Sequence, residues 1–182
     1  VSGNITQQEK AKLLYGLLNK VVKNTPYETL VKNGGKAIQD AASLTQYAAA
    51  FGYKITTKDA VDRIIAADAA GSDINAEKEK IKQATIARYG HLAKAIEAGS
   101  TLKDIASQYS YYKSQLMEIP QESITMDDPD IQAALDNNGK LMSTNEFQIR
   151  LRNNPLWAKT KNAREEAAGY ANSILKSFGL MA

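Results

Sequence analysis

Apolar residues recur at spacings of three and four along most of the chain, which is the period of amphipathic helices. Near the N-terminus the pairs Leu13-Leu14, Leu17-Leu18 and Val21-Val22 repeat every four residues and predict a broad apolar helix face. Apolar and polar residues do not alternate as in a half-buried strand, and only residues 52–56 would suit a short extended piece. The pattern therefore predicts an all-α protein, an irregular bundle of about eight helices of unequal length.

Polar residues at capping spacings mark where these helices begin. Thr6 with Glu9, and Ser143 with Glu146, have the spacing of a capping box, in which side chains satisfy free backbone N–H groups. Asp128 before Pro129 marks the start of a shorter helix. The remaining predicted helices are a short one carrying Tyr27, Leu30 and Val31, and helices over residues 37–51, 57–70, 76–98, 102–117 and 130–135.

The last third of the chain carries the most distinctive pattern. A helix opened by Ser143 is predicted to stop at Asn153-Asn154-Pro155, because the residue before a proline is driven out of the helical conformation. A second helix is predicted to restart with Pro155 in its first turn and to end at Gly179, the expected left-handed C-cap. Its apolar residues fall on one face: Ala163, Ala167, Tyr170, Ile174 and Phe178.

The length of 182 residues allows one substantial core or two small ones. We expect an N-terminal helical part over residues 1–71 and a C-terminal helical part over residues 72–182, which could also form one continuous domain. No repeat of fixed period is present, which argues against a solenoid. The chain begins at Val1 instead of methionine, which suggests a processed product or a fragment of a longer protein.

Composition removes several classes of chemistry. The absence of cysteine excludes disulfides, thiolate metal sites and a cysteine nucleophile. The net charge is +3, and the lysines and arginines are spread along the chain among 20 acidic residues. Nucleic-acid modules usually concentrate positive charge on one face. No apolar run reaches the length of about 18 to 20 residues that spans a bilayer, and the first residues do not have the pattern of a signal peptide.

Few residues are candidates for catalysis or ligand binding. His91 is the only histidine, so one chain cannot supply a two-histidine metal site. Asp127, Asp128 and Asp130 could hold calcium, but the spacing of a calcium loop is missing and helix capping is favoured. Glu165 and Glu166 are adjacent, so on a helix they point about 100° apart and a solvated face is favoured over an acid pair.

Residues 33–36, Asn-Gly-Gly-Lys, hint at a phosphate-binding loop, but a helix end followed by a new start is the favoured interpretation. Tyr109 and Tyr112 share a predicted helix face, and packing or interface use is favoured over stacking against nucleic-acid bases. We therefore predict no catalytic, metal or cofactor site. The predicted packing or interface residues are Tyr109, Tyr112, Phe147, Leu156, Trp157, Tyr170 and Phe178.

Several short blocks resemble the C-terminal segment of a group of tailed-bacteriophage virion proteins. They are Tyr89-Gly90-His91-Leu92 with Ala98-Gly99, residues 142–147, residues 151–157 with Thr160 and Asn162-Ala163, and residues 174–179. The resemblance covers about residues 85–182; Leu156 and residues 110–140 depart from it. It implies a phage structural component of the tail or of the internal virion contents, and it implies no catalytic residue.

From this resemblance we expect a non-enzymatic virion component that assembles through its helices with other virion proteins. We expect a homo-oligomer, located in the virion after assembly in the bacterial host cytoplasm. The alternative is a helical nucleic-acid-binding protein packaged or ejected with phage DNA, supported by lysines 10, 12, 20, 23, 32 and 36. A third hypothesis is an accessory domain of a virion enzyme that degrades cell walls.

Overall fold

The computed structural model describes residues 6–25, 29 and 32–180, and within this part the protein is all-α, as predicted. The short helix predicted around Tyr27, Leu30 and Val31 lies outside the described residues. Residues 52–56, the candidate extended piece, form a turn and a connecting loop. The described residues form nine α-helices: α1 Gln7–Asn24, α2 Lys36–Ala50, α3 Thr57–Ala69, α4 Ile74–Arg88, α5 Ala93–Glu97, α6 Leu102–Met117, α7 Pro129–Leu135, α8 Thr144–Arg152 and α9 Lys161–Ser177.

The predicted capping residues begin these helices. Thr6 and Ser143 each form a complete capping box with the glutamate three residues later. Asp128 accepts hydrogen bonds from the first backbone N–H groups of α7, which confirms the capping interpretation of this aspartate. At the other end of α3, Gly71 has a φ of +73°, a conformation that costs little only for glycine, and it closes the helix as predicted.

The chain divides into two compact units, residues 1–96 and residues 97–182. In the first unit α4 packs on both α2 and α3, and α1 packs on α3. The predicted boundary at residues 71 and 72 thus falls between two helices of the same unit. The core of this unit is built from small and aliphatic side chains, among them Ala41, Leu44, Ala48, Val61, Ile64 and Ile81.

The single helix predicted over residues 76–98 is wrong. The α4 helix ends at Arg88, and a 3₁₀ turn over Gly90–Leu92 precedes α5. Tyr89 leaves the helical conformation, with φ −118° and ψ 59°, while its N–H still donates to the Thr85 carbonyl at 2.8 Å. Tyr89 and Leu92, on either side of this bend, are both buried.

The second unit is formed by α6 to α9. The α6 helix packs on α7 and α8, and their buried residues make one core: Leu102, Ala106, Tyr109, Ile131, Leu135, Phe147 and Leu151. None of the described helices is long and apolar enough to cross a membrane.

The restart of the C-terminal helix at Pro155 is wrong. After α8 the chain makes turns and one 3₁₀ turn over Trp157–Lys159, and α9 begins only at Lys161. Two polar side chains explain this connection. The Asn154 Oδ1 atom accepts from the Leu156 N–H at 3.0 Å, and the Thr160 Oγ1 atom caps α9 by accepting from the Ala163 N–H at 3.1 Å.

Candidate protein-assembly surface

The core of the second unit fixes the position of two of the predicted residues. The rings of Tyr109 and Phe147 meet edge to face, with their centroids 5.0 Å apart and their planes at 71°. The Tyr109 hydroxyl donates to the Met142 carbonyl, so this buried polar group is satisfied. Tyr109 and Phe147 are therefore core residues that join α6 to α8, and they are not available to a partner.

A buried ion cluster joins α6, α7 and α8. The Lys113 Nζ atom lies 2.7 Å from both carboxylate oxygens of Asp128 and 2.8 Å from the Asp130 Oδ2 atom. The Arg150 Nε atom lies 2.8 Å from the Asp130 Oδ1 atom. Because two cations face two carboxylates, the charges compensate one another. The cluster therefore has a structural role, and no group of residues suited to a metal ion occurs in the described ranges.

In this cluster, ion pairing outweighs the effect of burial on the pKa values of Asp130 and Lys113. Burial alone would raise the pKa of Asp130, but hydrogen bonds and charge attraction from Lys113 and Arg150 outweigh it, and the pKa is lowered. Burial alone would lower the pKa of Lys113, and hydrogen bonds to Asp128 and Asp130 reverse this effect and raise it. The charged forms of these groups are thus favoured in the fold.

Glu118 connects the core of the second unit to α9. It is the residue that follows α6 and adopts a left-handed conformation, with φ 54° and ψ 42°. This conformation is uncommon for a residue other than glycine. The Glu118 carboxylate accepts hydrogen bonds from the backbone N–H groups of Lys161 at 3.0 Å and Asn162 at 2.7 Å. A negative charge therefore sits at the positive end of the α9 dipole.

Further contacts fix the first turns of α9. The Asn162 Nδ2 atom donates to the Gln115 carbonyl at 2.8 Å, and Arg152 and Glu166 form an ion pair at 3.3 Å. Glu165 pairs instead with Lys161 at 3.1 Å, so the two adjacent glutamates point to different cations, as their spacing predicts. Together with Glu118, these contacts determine where α9 starts and in which direction it leaves the core of its unit.

Beyond Glu166, α9 has no buried residue. Every residue from 167 to 180 is exposed, and we call this segment the C-terminal arm. Tyr170 is 67% exposed and Phe178 is 75% exposed, and Ile174 lies between them at helical spacing. These three side chains therefore form one apolar face about 12 Å long, at 1.5 Å per residue. Gly179, with a φ of +69°, ends the arm as predicted.

The structure separates the predicted residues into three groups. Tyr109 and Phe147 are buried, Tyr112 and Trp157 are partly buried, and Tyr112 contacts the Tyr111 ring edge to face at a centroid distance of 5.7 Å. Leu156, Tyr170 and Phe178 are exposed, so they do not organise the C-terminal helix through contacts within the chain. Glu118 organises it instead, and no local capping pattern marks this residue because its partners lie more than 40 positions away.

Two other candidates from the sequence have neighbours within the first unit. Lys36 of the Asn-Gly-Gly-Lys segment pairs with Asp40 at 2.6 Å, one turn along α2. His91 lies in the 3₁₀ turn, with its ring centroid 6.4 Å from that of Tyr89. Among the described residues of the second unit, the C-terminal arm has the most exposed aromatic side chains, Tyr170 and Phe178.

No protein-family model matches the chain, and no significant match was found among curated proteins or solved structures.

Proposed function

We propose that this protein is a non-enzymatic structural component of a tailed-phage virion, a minor tail or internal protein that assembles through its C-terminal arm. The observation that carries the proposal is the exposed apolar face of Tyr170, Ile174 and Phe178 on a helix that its own unit leaves uncovered. The resemblance of residues 85–182 to tailed-phage virion proteins supplies the biological setting.

Helix energetics support a partner for the arm. Isolated helices shorter than about 12 to 15 residues are marginal in water, and most helices in proteins are stabilised by packing of an apolar face. The α9 helix is stabilised at its start by Thr160 and Glu118, and Gly179 ends the arm. Its sides make no buried contact, so a partner that covers Tyr170 and Phe178 would supply the missing packing.

The composition of the arm suits an interface between proteins. Tyrosine and phenylalanine are enriched in the cores of protein interfaces, where they provide large contact areas. Ala167 and Ala171 lie on the same side as Ile174 and allow a second helix to approach closely. We propose other virion proteins as the partners, with further copies of this chain among them.

The test uses particles of the phage that encodes the protein. Ile174→Asp places a charge in the centre of the apolar face, whereas Ser173→Asp places the same charge on the neighbouring polar side of the arm. We expect the wild type and Ser173→Asp to be found in purified particles at the same copy number, and Ile174→Asp to be lost. Absence of the wild type from particles, or normal incorporation of Ile174→Asp, would overturn the proposal.

Nucleic-acid binding is the alternative proposal. Lys10, Lys12 and Lys20 are exposed along α1, and phosphate contacts by these lysines would release counterions and make binding strongly dependent on salt. Titration of the full chain with duplex DNA at several salt concentrations tests this alternative. A steep loss of affinity with salt, absent in Lys10→Gln/Lys20→Gln, would favour it over assembly through the arm.

A further inference from the structure

The α1 helix turns a polar side chain toward its unit and leaves leucines exposed. Of its described side chains only Asn19 is buried, with 8% of its surface exposed, while Ala11 and Val22 are partly buried. Leu17 is 65% exposed, although burying a leucine is far more favourable than burying an asparagine. The exposed residues, which we call the α1 stripe, are Leu13, Leu14, Leu17, Leu18 and Val21.

Positive charge borders the α1 stripe. Residues 7–24 contain four lysines and one glutamate, a net charge of +3. Lys10 precedes Leu13 by three residues, and Lys20 follows Leu17 by three, so both lysines lie beside the stripe on the helix surface. The glutamate, Glu9, is occupied by the capping box at Thr6, where its carboxylate accepts from the Thr6 N–H at 2.8 Å.

We infer that the α1 stripe binds the surface of a membrane that contains anionic lipids. An amphipathic helix with leucines on one face and lysines beside them lies in the plane of such a membrane, with its apolar side chains about 5 to 10 Å below the headgroups. The long side chains of Lys10 and Lys20 reach outward from the apolar region, so their ammonium groups meet the anionic headgroups. The opposite side of α1 keeps its contact with α3.

Like charges make a second copy of the chain a poorer partner for the α1 stripe than an anionic membrane. If two α1 stripes faced each other, Lys10 and Lys20 of one copy would lie near lysines of the other, and Glu9 is the only acidic residue of the helix. Like charges across an interface oppose association. Duplex DNA would satisfy the lysines but would leave Leu13 and Leu17 in water. A bilayer with anionic headgroups satisfies both the charge and the apolar surface.

The experiment measures binding of the full chain to vesicles by flotation. Phosphatidylcholine vesicles with and without phosphatidylglycerol are compared, because phosphatidylglycerol supplies the negative headgroup charge. We expect binding to the anionic vesicles, reduced about tenfold by Leu17→Ser, since removing one buried leucine from the membrane costs about a factor of ten. Lys10→Gln/Lys20→Gln should weaken binding about 25-fold, at about fivefold per lysine near the membrane surface.

Ile149→Ser is the matched control, because it removes an apolar side chain that is 50% exposed and lies on α8, outside both the α1 stripe and the C-terminal arm. It should bind vesicles like the wild type, and circular dichroism should show all variants folded, since the changed residues are exposed. Failure of the wild type to bind anionic vesicles would overturn the inference. An equal loss of vesicle binding in the Ile149→Ser control would also overturn it. So would self-association or DNA binding that Leu17→Ser abolishes while vesicle binding is unaffected.

Discussion

Two phenylalanines of the second unit, Phe147 and Phe178, allow a direct test of how the C-terminal arm is used. Phe147 has 0% of its surface exposed, and Phe178 has 75% exposed. Truncation of a core phenylalanine to alanine costs about 3 to 5 kcal/mol of folding free energy. Phe147→Ala should therefore be strongly destabilised. Phe178→Ala should unfold within about 0.5 kcal/mol of the wild type, as expected for a surface substitution.

Phe178→Ala, the milder substitution for folding, should be the more damaging of the two for association. Full burial of a phenylalanine is worth roughly 1.5 to 3 kcal/mol, and about three quarters of the Phe178 surface is still to be buried. Covering Phe178 with a partner should thus contribute about 1 to 2 kcal/mol, so Phe178→Ala should weaken the association by about 5-fold to 30-fold. If Phe178 were already buried within its own unit, a partner could bury no more of its surface, and no association energy would come from it.

Urea unfolding followed by circular dichroism gives the folding free energies, and the copy number in purified particles together with sedimentation analysis gives the association. Phe147→Leu provides a folded core variant if Phe147→Ala does not fold, and it should associate like the wild type. A loss of about 3 kcal/mol in folding for Phe178→Ala would mean that the arm is packed within the chain. Unchanged folding and unchanged association together would show that Phe178 is not part of an interface.

Three further predictions concern the residues that hold the second unit together. The pKa of Asp130 is lowered in the fold, so its charged form stabilises the protein above the unfolded-state pKa near 3.8, and this stability is lost as pH falls through the lower folded pKa. The melting temperature of the wild type should therefore fall more steeply in acid than that of Asp130→Asn, and parallel curves would contradict this. Glu118→Gln should speed amide exchange at Lys161 and Asn162, whereas unchanged exchange would exclude the carboxylate as the cap. Trp157→Phe should lower the free energy of unfolding in urea by less than about 1 kcal/mol, because the buried indole N–H has no acceptor among the described residues. Trp157→Ala should lower it by about 2 to 3 kcal/mol, and equal losses would contradict this.

Local signals in the sequence determined most of the helices. Capping depends on residues three positions apart, so Thr6, Ser143 and Asp128 could be recognised without knowledge of the rest of the chain. The break at Tyr89 and the late start of α9 at Lys161 were missed. Both depend on whether a side chain finds a buried site or a capping partner, and periodicity does not report this.

Neighbours within one or two turns therefore suffice to predict the fold class, most of the capped helix starts and the apolar face of the C-terminal helix. Which apolar residues are core and which are surface depends on the tertiary fold. Phe147 lies on an amphipathic helix and Phe178 directly follows one, yet Phe147 fills the space beside Tyr109 and Phe178 extends past the last contact of its unit. The physical reason is that burial depends on the direction in which a helix leaves its core. For α9 that direction is set by Glu118, through hydrogen bonds between residues distant in the chain.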